Sequence, residues 1–380
     1  PPTFGQFIPG QRKPTMAMME ITERCNLRCP VCFSRSTPAG DDISVDQARA
    51  YLEQLLAITE TPIPILISGG EPTLHPELPA IIDCARHLGY RHIELVTNGV
   101  RISREPQILY PLKDAGLKAV YLQFDGLQKV THLAIRGVDL TGVRRHAIEA
   151  IRSAGLCCTL AVAVVQGIND REIGEIIRFG IENLDVVRAI NFQAATAFDG
   201  RFDVAGADGG LGTPELVNLV TAQSGLPAGS FIEAVLGNPL CNAFSLVFVV
   251  NGRLVPLFKF IQADDLRAFL GSKPRQVVLD AFEGKNSFFF RRLMSPKAWS
   301  MLVKASPIFG RNPYNVLNSR HILLFAKGFM NKDALDEKRI EQCCYGITGI
   351  NGVYSFCAYN NYHRFAGCDQ KQPAIQDGQP

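Results

Sequence analysis

The sequence contains no concentrated charge. Its 39 lysine and arginine residues stand against 36 aspartate and glutamate residues, and no run of five or six like charges occurs in its 380 residues. A protein that binds nucleic acid through a basic surface is expected to show such an excess or such a run. The charge pattern therefore argues against a nucleic-acid partner.

The sequence also lacks a long apolar run. No 18 consecutive apolar residues occur, so no segment has the length of a membrane-spanning helix. The first residues show no basic stretch followed by an apolar run and a small-residue cleavage site. We expect a cytoplasmic protein, and an apolar content of 47% is enough to build a buried core.

Cysteine is abundant, but its number is odd. Eleven cysteines do not resolve into a disulfide framework, and in a reducing compartment such clusters are more often metal ligands or catalytic thiols. Three of them, Cys25, Cys29 and Cys32, lie within eight positions of "TERCNLRCPVCFSR" (22–35). A closed zinc site would need a fourth ligand, and this stretch does not contain one.

Short apolar runs alternate with segments of helical period in the first half of the chain. The runs occupy 18–22, 63–68, 92–97, 119–124, 159–165 and 187–193. Helix-like segments begin near Ser44, Glu77, Glu105, Thr141 and Asp170. Ser44 is a suitable N-cap residue for the first of them. Six strands that alternate with five helices predict an α/β fold with a parallel sheet, either open or curled into a partial barrel.

Polar motifs follow four consecutive predicted strands. The cysteine stretch follows the first strand, "GGEPT" (69–73) the second, "NGV" (98–100) the third and "DG" (125–126) the fourth. Ligands of parallel α/β sheets bind at the carboxyl ends of the strands, so the four motifs are expected on one rim. Each motif alone would ordinarily be only a turn, but their joint placement predicts a ligand site.

Three chemistries fit the three cysteines. A structural zinc site would need a further ligand, and Cys84, the nearest other cysteine, lies in a helix-like segment away from the predicted rim. A redox pair of Cys29 and Cys32 would leave Cys25 without a role. A 4Fe–4S cluster held by three thiolates leaves one iron open to an external ligand, which suits a loop that follows a strand.

The motifs together resemble the radical S-adenosylmethionine superfamily. The resemblance rests on CxxxCxxC after the first strand, Gly-Gly-Glu-Pro after the second and Thr-Asn-Gly after the third, and it covers roughly residues 18–200. It implies a partial (β/α)6 TIM-type barrel in which Cys25, Cys29 and Cys32 hold a 4Fe–4S cluster. The open iron would bind S-adenosylmethionine, and a 5′-deoxyadenosyl radical would abstract hydrogen from an unreactive carbon.

The resemblance implies roles for further residues in binding S-adenosylmethionine. Its amino group would be bound by Gly69, Gly70, Glu71 and Pro72. Asn98 would reach the ribose, and Arg136 in "LAIRG" would pair with the carboxylate. Polar residues at or near strand ends would line the cavity beside the cofactor; they are Gln123, Asp125, Gln166, Asn191 and Gln193.

The second half of the chain is less regular. A Gly-rich stretch at 197–213 is predicted to be a loop or lid, and "FSLVFVVNGRLVPLF" (244–258) predicts a β-hairpin that turns at Asn251-Gly252. An aromatic stretch at 286–309 is most simply a packed helix. Its alternative role is an apolar wall for a long hydrophobic substrate or a surface for peripheral membrane contact.

The remaining cysteines divide between the two halves. Cys84, Cys157 and Cys158 lie in the barrel half and are expected to be buried packing thiols. The second half contains Cys241, Cys343, Cys344, Cys357 and Cys368. These five are enough for one fully ligated auxiliary 4Fe–4S cluster with one thiol to spare, and a structural zinc site is the alternative.

The tail is similar to that of the archaeal tetraether lipid synthase group of radical enzymes. The similarity rests on "GFMNKDALDEKRIEQCC" (328–344), "GVYSFCAYNNYHRF" (352–365) and the cysteine-led hairpin "LCNAFSLVFVVNGRLVPLFKFI" (240–261). It implies that an auxiliary cluster is held by Cys241, Cys343 and Cys357. Cys368 is the candidate for the fourth ligand by proximity in the sequence, and Cys344 is the extra thiol.

The chain is therefore predicted to be a radical enzyme built from an N-terminal extension (1–17), a barrel (18–200), a linker (201–237) and a C-terminal α+β domain (238–380) that holds the auxiliary cluster and caps the substrate.

Carbon–carbon coupling on a lipid or hydrophobic small molecule is the expected reaction. Sulfur insertion into a small molecule such as a nucleoside or sugar, and peptide modification, are alternatives. An external reductant such as flavodoxin or ferredoxin would be needed. A non-catalytic iron–sulfur electron carrier and a zinc-stabilised binding protein are the hypotheses from other classes.

Overall fold

The computed structural model describes most of the chain. The described residues are 3–198, 200–204, 210–233, 237–250, 252–262, 264–266, 296, 300, 303–304, 306, 320–349 and 351–364. Most of the aromatic stretch at 286–309 lies outside these residues, and so does Cys368. Within the described part of the chain, no helix has the length and apolar character needed to cross a membrane.

Strands and helices alternate through the first half of the chain. The strands are β1 (Gln6–Phe7), β2 (Met16–Glu20), β3 (Val31–Cys32), β4 (Ile65–Ser68), β5 (Ile93–Thr97), β6 (Ala119–Gln123), β7 (Cys157–Val164), β8 (Val187–Ala194), β9 (Arg201–Phe202), β10 (Ile232–Glu233), β11 (Asn242–Val250), β12 (Arg253–Pro256), β13 (Arg320–Lys327), β14 (Tyr345–Gly349) and β15 (Gly352–Ser355). The helices are α1 (Val45–Thr59), α2 (Leu78–His87), α3 (Val100–Arg104), α4 (Leu109–Ala115), α5 (Lys129–Arg136), α6 (Thr141–Ser153), α7 (Ile173–Glu182), α8 (Thr213–Ser224), α9 (Glu337–Glu341) and α10 (Phe356–Ala358). A π-helical turn, Tyr359–His363, follows α10.

The six predicted strands form the centre of one parallel sheet. β2, β4, β5, β6, β7 and β8 lie side by side in this order, and each neighbouring pair is parallel. Among the described residues no strand pairing closes the sheet into a complete barrel. The predicted α/β class with a partial barrel is therefore confirmed.

The two faces of the sheet bury different residues. In β4, Ile65 and Ile67 belong to the main core, which also contains helix residues such as Leu52 and Ile81. Leu66, between them, belongs to a separate inner cluster with Tyr121 and others. Because successive side chains of a strand point to opposite faces, one face packs against the helices and the other lines the inside of the curved sheet.

Strands from the second half extend the sheet at both edges. β14 pairs in parallel with β2, and β13 pairs in parallel with β8, so that eight consecutive strands are parallel. Antiparallel strands β15 and β1 continue one edge, and β11 and β10 continue the other. One sheet therefore contains strands from both halves of the chain, whereas the sequence predicts the halves as separate domains.

The local predictions of the sequence are largely confirmed. Ser44 is the N-cap of α1, and β11 and β12 form the predicted hairpin, with Val250 paired to Arg253. The helix expected near Glu105 is divided, because α3 ends at Arg104 and a 3₁₀ turn, Pro106–Ile108, precedes α4. Proline disfavours helical geometry at the residue before it, which explains the break.

One of the three expected packing thiols is not buried. Cys84 and Cys158 are buried, but Cys157 is exposed, so this part of the prediction is wrong. Cys157 and Cys158 are neighbours in β7 and must point to opposite faces of the strand. Only the face that carries Cys158 is covered at this end of the strand.

The cap of α1 provides a test of local stability. The Ser44 hydroxyl accepts from the Gln47 backbone N–H, and the Gln47 side chain accepts from the Ser44 N–H. Replacing Ser44 with alanine should lower the free energy of unfolding by about 1 kcal/mol, because one N–H at the helix start loses its partner. Ser44→Asp, which keeps an acceptor, should unfold like the wild type. The measurement is equilibrium urea unfolding followed by circular dichroism; equal midpoints for wild type and Ser44→Ala would contradict it.

Candidate active site

A cavity opens inside the curved sheet at the carboxyl ends of its strands. All three cysteines of the first loop line it, as do Gly69, Gly70 and Asn98 from the next two loops. Gln123 and Gln193 line it from β6 and β8. Three of the four polar motifs therefore meet at one rim, and the fourth, Asp125-Gly126, lies behind the cavity wall.

The cysteine loop is anchored to the residues that follow it. The Thr22 hydroxyl donates to Asp42 at 2.5 Å, and the Arg24 guanidinium donates to both oxygens of the same carboxylate. The Cys25 backbone N–H donates to the Thr37 carbonyl at 2.7 Å. These contacts fix where the loop begins, and hence the direction in which its first cysteine leaves the strand.

The start of the predicted lid crosses the same loop. β9 pairs with β3, which places Arg201 opposite Cys32. The Arg201 guanidinium donates to the backbone carbonyls of Cys29 and Ser36, at 3.1 and 2.9 Å. A segment that follows β8 therefore holds the cysteine loop closed from the side opposite to Asp42.

The three thiols differ in their tendency to ionise. Burial raises the pKa of Cys25 to about 12, and burial also raises the pKa of Cys29. Burial acts in the same direction on Cys32, but hydrogen bonds from the hydroxyl and backbone N–H of Ser34 lower its pKa below the ordinary value. Cys32 therefore loses its proton more readily than Cys25 and Cys29. A metal that binds all three must displace protons from the other two.

Two glycines allow the second loop to lie against the first. A Cβ on Gly70 would come within 2.3 Å of the Arg24 carbonyl oxygen, and one on Gly69 within 2.3 Å of the Thr22 oxygen. Gly69 also has a φ of +137°, which side chains rarely tolerate. The Gly70 N–H donates to the Thr22 oxygen at 2.8 Å. No other residue type would permit this approach of the two backbones.

Glu71 lies beneath the cavity rather than in its wall. Its carboxylate is fully buried and accepts from the Thr97 hydroxyl and the Asn98 backbone N–H, both at 2.7 Å, and from Thr73. Burial raises the pKa of Glu71 above its ordinary value. Pro72, also buried, begins the short 3₁₀ turn that follows. Both residues shape the loop from below, and neither contacts the cavity.

The Asn98 side chain spans the first and third loops. Its Nδ2 donates to Asn26 Oδ1 at 2.7 Å, and its Oδ1 accepts from the Val100 N–H at 3.0 Å. The Asn98 backbone carbonyl accepts a short hydrogen bond from Arg144. Arg144 is fully buried, and its Nε and Nη2 have no hydrogen-bond partner among the described residues, although Nη2 lies 3.9 Å from an Asp125 carboxylate oxygen. No pattern in the sequence indicated this arginine.

Asp125 and Arg136 form a buried ion pair behind the cysteine loop. The Arg136 Nε and Nη2 donate to the two carboxylate oxygens at 2.6 and 2.7 Å. Burial opposes the charge on Arg136, but the pairing with Asp125 keeps its pKa above the ordinary value. Arg136 lines the cavity, whereas Asp125 is completely covered. Asp125 is thus placed to hold the arginine, and its oxygens do not face the cavity.

The other polar candidates separate into two groups. Gln193 lines the cavity and donates to the Tyr121 hydroxyl at 2.8 Å, and Asn191 donates to the same oxygen from a buried position behind the wall. Gln166 is exposed in the turn after β7 and does not line the cavity. Tyr121, which joins the two amides, is a site residue that the polar pattern of the strand ends did not indicate.

Aromatic residues from distant parts of the chain form another part of the cavity wall. The residues are Phe33, Phe198, Phe329, Tyr345 and Phe356. The Tyr345 and Phe356 rings are stacked with centroids 5.1 Å apart, and Phe329 and Phe198 contact Phe356 at 5.0 and 5.9 Å. Tyr345 and Phe356 are sequence neighbours of cysteines in the tail motifs. This position was the feature of the sequence from which they could have been identified as site residues.

Four tail cysteines lie near one another at the edges of the sheet. Cys241 precedes β11, Cys343 and Cys344 precede β14, and Cys357 lies in α10. The Cys343 thiol is influenced electrostatically by Cys344 and Cys357, and the Cys241 thiol acts on both Cys344 and Cys357. The Arg339 guanidinium donates to the Cys241 sulfur at 3.4 Å. Cys344, predicted to be the extra thiol, therefore lies near the three expected ligands.

The donor sets at both places suit iron–sulfur clusters. Thiolates are the usual ligands of such clusters, and three thiols of one loop border the cavity beside the backbone of Gly69 and Gly70. As the side chains stand, no group of three or more Cys, His, Asp or Glu residues within the described residues is arranged to hold a metal ion. Binding would therefore require the thiols to turn towards a common centre.

Comparison with known proteins identifies a matching family, similar sequences and similar structures. The sequence model of the Radical SAM superfamily matches residues 19–180. A 7,8-dihydro-6-hydroxymethylpterin dimethyltransferase of Methanocaldococcus jannaschii is 30% identical over 392 residues, which cover 92% of this chain and 77% of the relative. A GTP 3',8-cyclase 3 of Mycobacterium tuberculosis is 29% identical and covers 50% of this chain and 49% of the cyclase. A crystal structure of Streptococcus suis SuiB bound to S-adenosylmethionine is 16% identical over 55% of this chain and 46% of that chain, with a TM-score of 0.45.

The contact between the first two loops can be tested at Gly70. Replacing Gly70 with alanine would force its Cβ against the Arg24 carbonyl, so the cysteine loop must move. We expect the variant to bind less iron after anaerobic reconstitution and to lose most S-adenosylmethionine binding, at least tenfold. Gly142→Ala is the matched control, because a Cβ there meets nothing within 4 Å. Iron analysis and equilibrium dialysis measure both effects, and a Gly70→Ala protein with normal iron and affinity would show that the close contact is unimportant.

Proposed function

The chain belongs to the radical S-adenosylmethionine superfamily, and we propose that it forms a carbon–carbon bond on a hydrophobic small molecule. Members of this superfamily are enzymes that use a 4Fe–4S cluster and S-adenosylmethionine, which when bound supply the 5′-deoxyadenosyl radical that abstracts hydrogen. The observation that carries the proposal is that the three cysteines and an aromatic wall face the same cavity. The hypotheses of a non-catalytic electron carrier and a zinc-stabilised binding protein are set aside.

The residues around the cysteines would position the cofactor. Cys25, Cys29 and Cys32 would hold the cluster, and the backbone of Gly69 and Gly70 borders them directly. Asn98, Gln123 and Arg136 line the cavity and would contact S-adenosylmethionine. The buried residues Glu71, Pro72, Asp125 and Asn191 would act on it only by fixing these neighbours. In this arrangement the protein contributes orientation and the exclusion of water from the radical.

The substrate we propose is planar and largely apolar. Flat rings stack favourably on aromatic side chains, and five such side chains form one wall of the cavity. The M. jannaschii relative is named as a dimethyltransferase of a pterin, which is a flat heterocycle. The resemblance of the tail to tetraether lipid synthases instead favours a long apolar chain. The flat, stacked rings of Tyr345 and Phe356 favour a planar ring as the substrate. A lipid substrate is the alternative outcome of the product analysis.

We further propose that the second half of the chain, residues 238–380, holds an auxiliary 4Fe–4S cluster and caps the substrate. Cys241, Cys343 and Cys357 remain the expected ligands. Cys368, the predicted fourth ligand, lies outside the described residues, and Cys344, which lies near the same thiols, is a second candidate. An external reductant such as flavodoxin or ferredoxin would deliver the electrons.

The radical chemistry is tested by the first cysteine of the loop. Anaerobically reconstituted protein, given dithionite and S-adenosylmethionine, should form 5′-deoxyadenosine, and Cys25→Ala should reduce this at least a hundredfold by removing a cluster ligand. Cys157→Ala, which removes an exposed thiol away from the cavity, should keep the wild-type rate. Product analysis with candidate pterins and lipids by mass spectrometry then identifies the bond formed. Full 5′-deoxyadenosine formation by Cys25→Ala would overturn the proposal.

The auxiliary cluster is tested by counting iron. Two 4Fe–4S clusters correspond to about eight irons per chain in the reconstituted wild type. Cys344→Ala should retain about four, since the cluster of the first loop does not depend on it. Cys368→Ala should retain the wild-type value and serves as the comparison. The opposite result for these two variants would identify Cys368 as the fourth ligand, and about four irons in the wild type would remove the auxiliary cluster.

A further inference from the structure

Lys327 carries a positive charge beside two residues that line the cavity. It is the last residue of β13 and lies opposite Gln193 in the parallel pairing with β8. Its Nζ lies 5.1 Å from the centre of the Tyr345 ring. Both Gln193 and Tyr345 line the cavity, as does Phe329, two residues further along the chain. The Lys327 side chain therefore lies next to the aromatic wall at Tyr345 and next to Gln193 in the sheet.

The charge of Lys327 has no conventional partner within the described residues. Its one described contact is with the Tyr345 ring, and no carboxylate lies within ion-pair distance. The charged groups that influence it are Cys344, Glu94 and Cys343. Glu94 already accepts from His92 at 2.6 Å. Burial lowers the pKa of Lys327, which is the expected response of a cation removed from water without an acceptor. A ligand oxygen would supply the missing acceptor.

Gln193 offers a hydrogen-bond acceptor that complements the Lys327 donor. Its Nε2 donates to the Tyr121 hydroxyl at 2.8 Å, and in this orientation of the amide its Oε1 is left to accept a hydrogen bond. Because Gln193, which lines the cavity, and Lys327 are paired across two neighbouring strands, a donor and an acceptor stand side by side next to the cavity. A ring carbonyl next to a ring N–H presents the matching acceptor and donor.

We propose that Lys327 and Gln193 form a subsite for the amide edge of a planar heterocyclic substrate. The Lys327 ammonium donates to the ring carbonyl oxygen, and the Gln193 side-chain oxygen accepts from the adjacent ring N–H. Aromatic side chains that line the cavity contact the face of the heterocycle. This assignment rests on the proposed function, because it requires the substrate to occupy the same cavity. It adds that ring recognition depends on hydrogen bonds as well as on stacking.

The alternative role for Lys327 is to offset the charge of the tail cysteines. Cys343 and Cys344 lie near enough to act on its ionisation, so a lysine here could serve the auxiliary cluster rather than the substrate. The two roles differ in what is lost when the ammonium is removed. Loss of ring binding marks the subsite, whereas loss of iron marks the cluster.

The experiment compares two probes of similar size. 6-Hydroxymethylpterin has the amide edge, and 2-hydroxymethylnaphthalene has the flat ring without it. Their affinities for the anaerobically reconstituted full chain are measured by equilibrium fluorescence titration. Lys327→Met removes the ammonium but keeps a similar stem, and should weaken pterin binding about tenfold or more, since a hydrogen bond to a charged group is lost. Binding of the naphthalene should change less than twofold.

Four further variants complete the comparison. Gln193→Leu should weaken pterin binding, and the double variant should lose less than the sum of the two single effects, because both residues hold one ring edge. Lys327→Arg, which keeps the donors, should recover part of the affinity. Lys118→Met, at an exposed position before β6, should bind both probes like the wild type. Iron content should be unchanged in Lys327→Met, and 5′-deoxyadenosine formation without substrate should be unchanged in the control Lys118→Met.

Several results would overturn the subsite. Unchanged pterin affinity in Lys327→Met would do so, and about four irons lost with unchanged affinity would assign the lysine to the tail cysteines. Equal effects on both probes would indicate a general disturbance of the wall. A wild-type protein that binds no pterin would also reject the subsite. None of these results would remove Cys25-dependent formation of 5′-deoxyadenosine, so failure of the subsite is distinguishable from failure of the proposed function.

Discussion

A single buried carboxylate joins the loops that build the active site. The Glu71 backbone N–H donates to the Arg24 carbonyl of the cysteine loop. The Glu71 side chain accepts from Thr97 and Asn98 at the end of β5. A buried acid without a cationic partner is costly unless several donors satisfy it, and here hydroxyls and backbone N–H groups do so. The three loops are consequently fixed relative to one another, and the glycines before Glu71 allow the close approach that this requires.

The parts of the fold that depend on local pattern could be predicted from the sequence. The six central strands, the Ser44 cap and the hairpin of β11 and β12 follow from periodicity and turn chemistry over a few residues. The pairing of β14 with β2 could not be predicted in this way, because Met18 and Ile347 are separated by more than 300 residues and nothing local records their register. The same holds for β13, and with it for Lys327 and Phe329.

The candidate site shows a similar division. Residues next to the backbone turns, such as Cys25, Gly70 and Asn98, line the cavity where their motifs place them. Asp125 and Asn191 lie at or near predicted strand ends but behind the cavity wall. The Asp125 carboxylate accepts from Arg136, and the Asn191 amide nitrogen donates to the Tyr121 hydroxyl. Position along a strand determines the face of a side chain, but its accessibility depends on partners from other strands. Those partners are the residues that sequence reasoning did not supply.

The two edge strands connect the chemistry of the two halves. β13 and β14 lie on opposite edges of the parallel array, yet Lys327 of one lies over the Tyr345 ring of the other. The curved sheet therefore brings these edges together through side chains, and no backbone pairing joins them among the described residues. Cys343 and Cys344 come immediately before Tyr345, and Tyr345 in turn lines the cavity. A movement of these two cysteines is therefore expected to displace Tyr345, which is their neighbour in the chain. A cluster bound there and a substrate held against the wall would thus depend on the same register of β14 with β2.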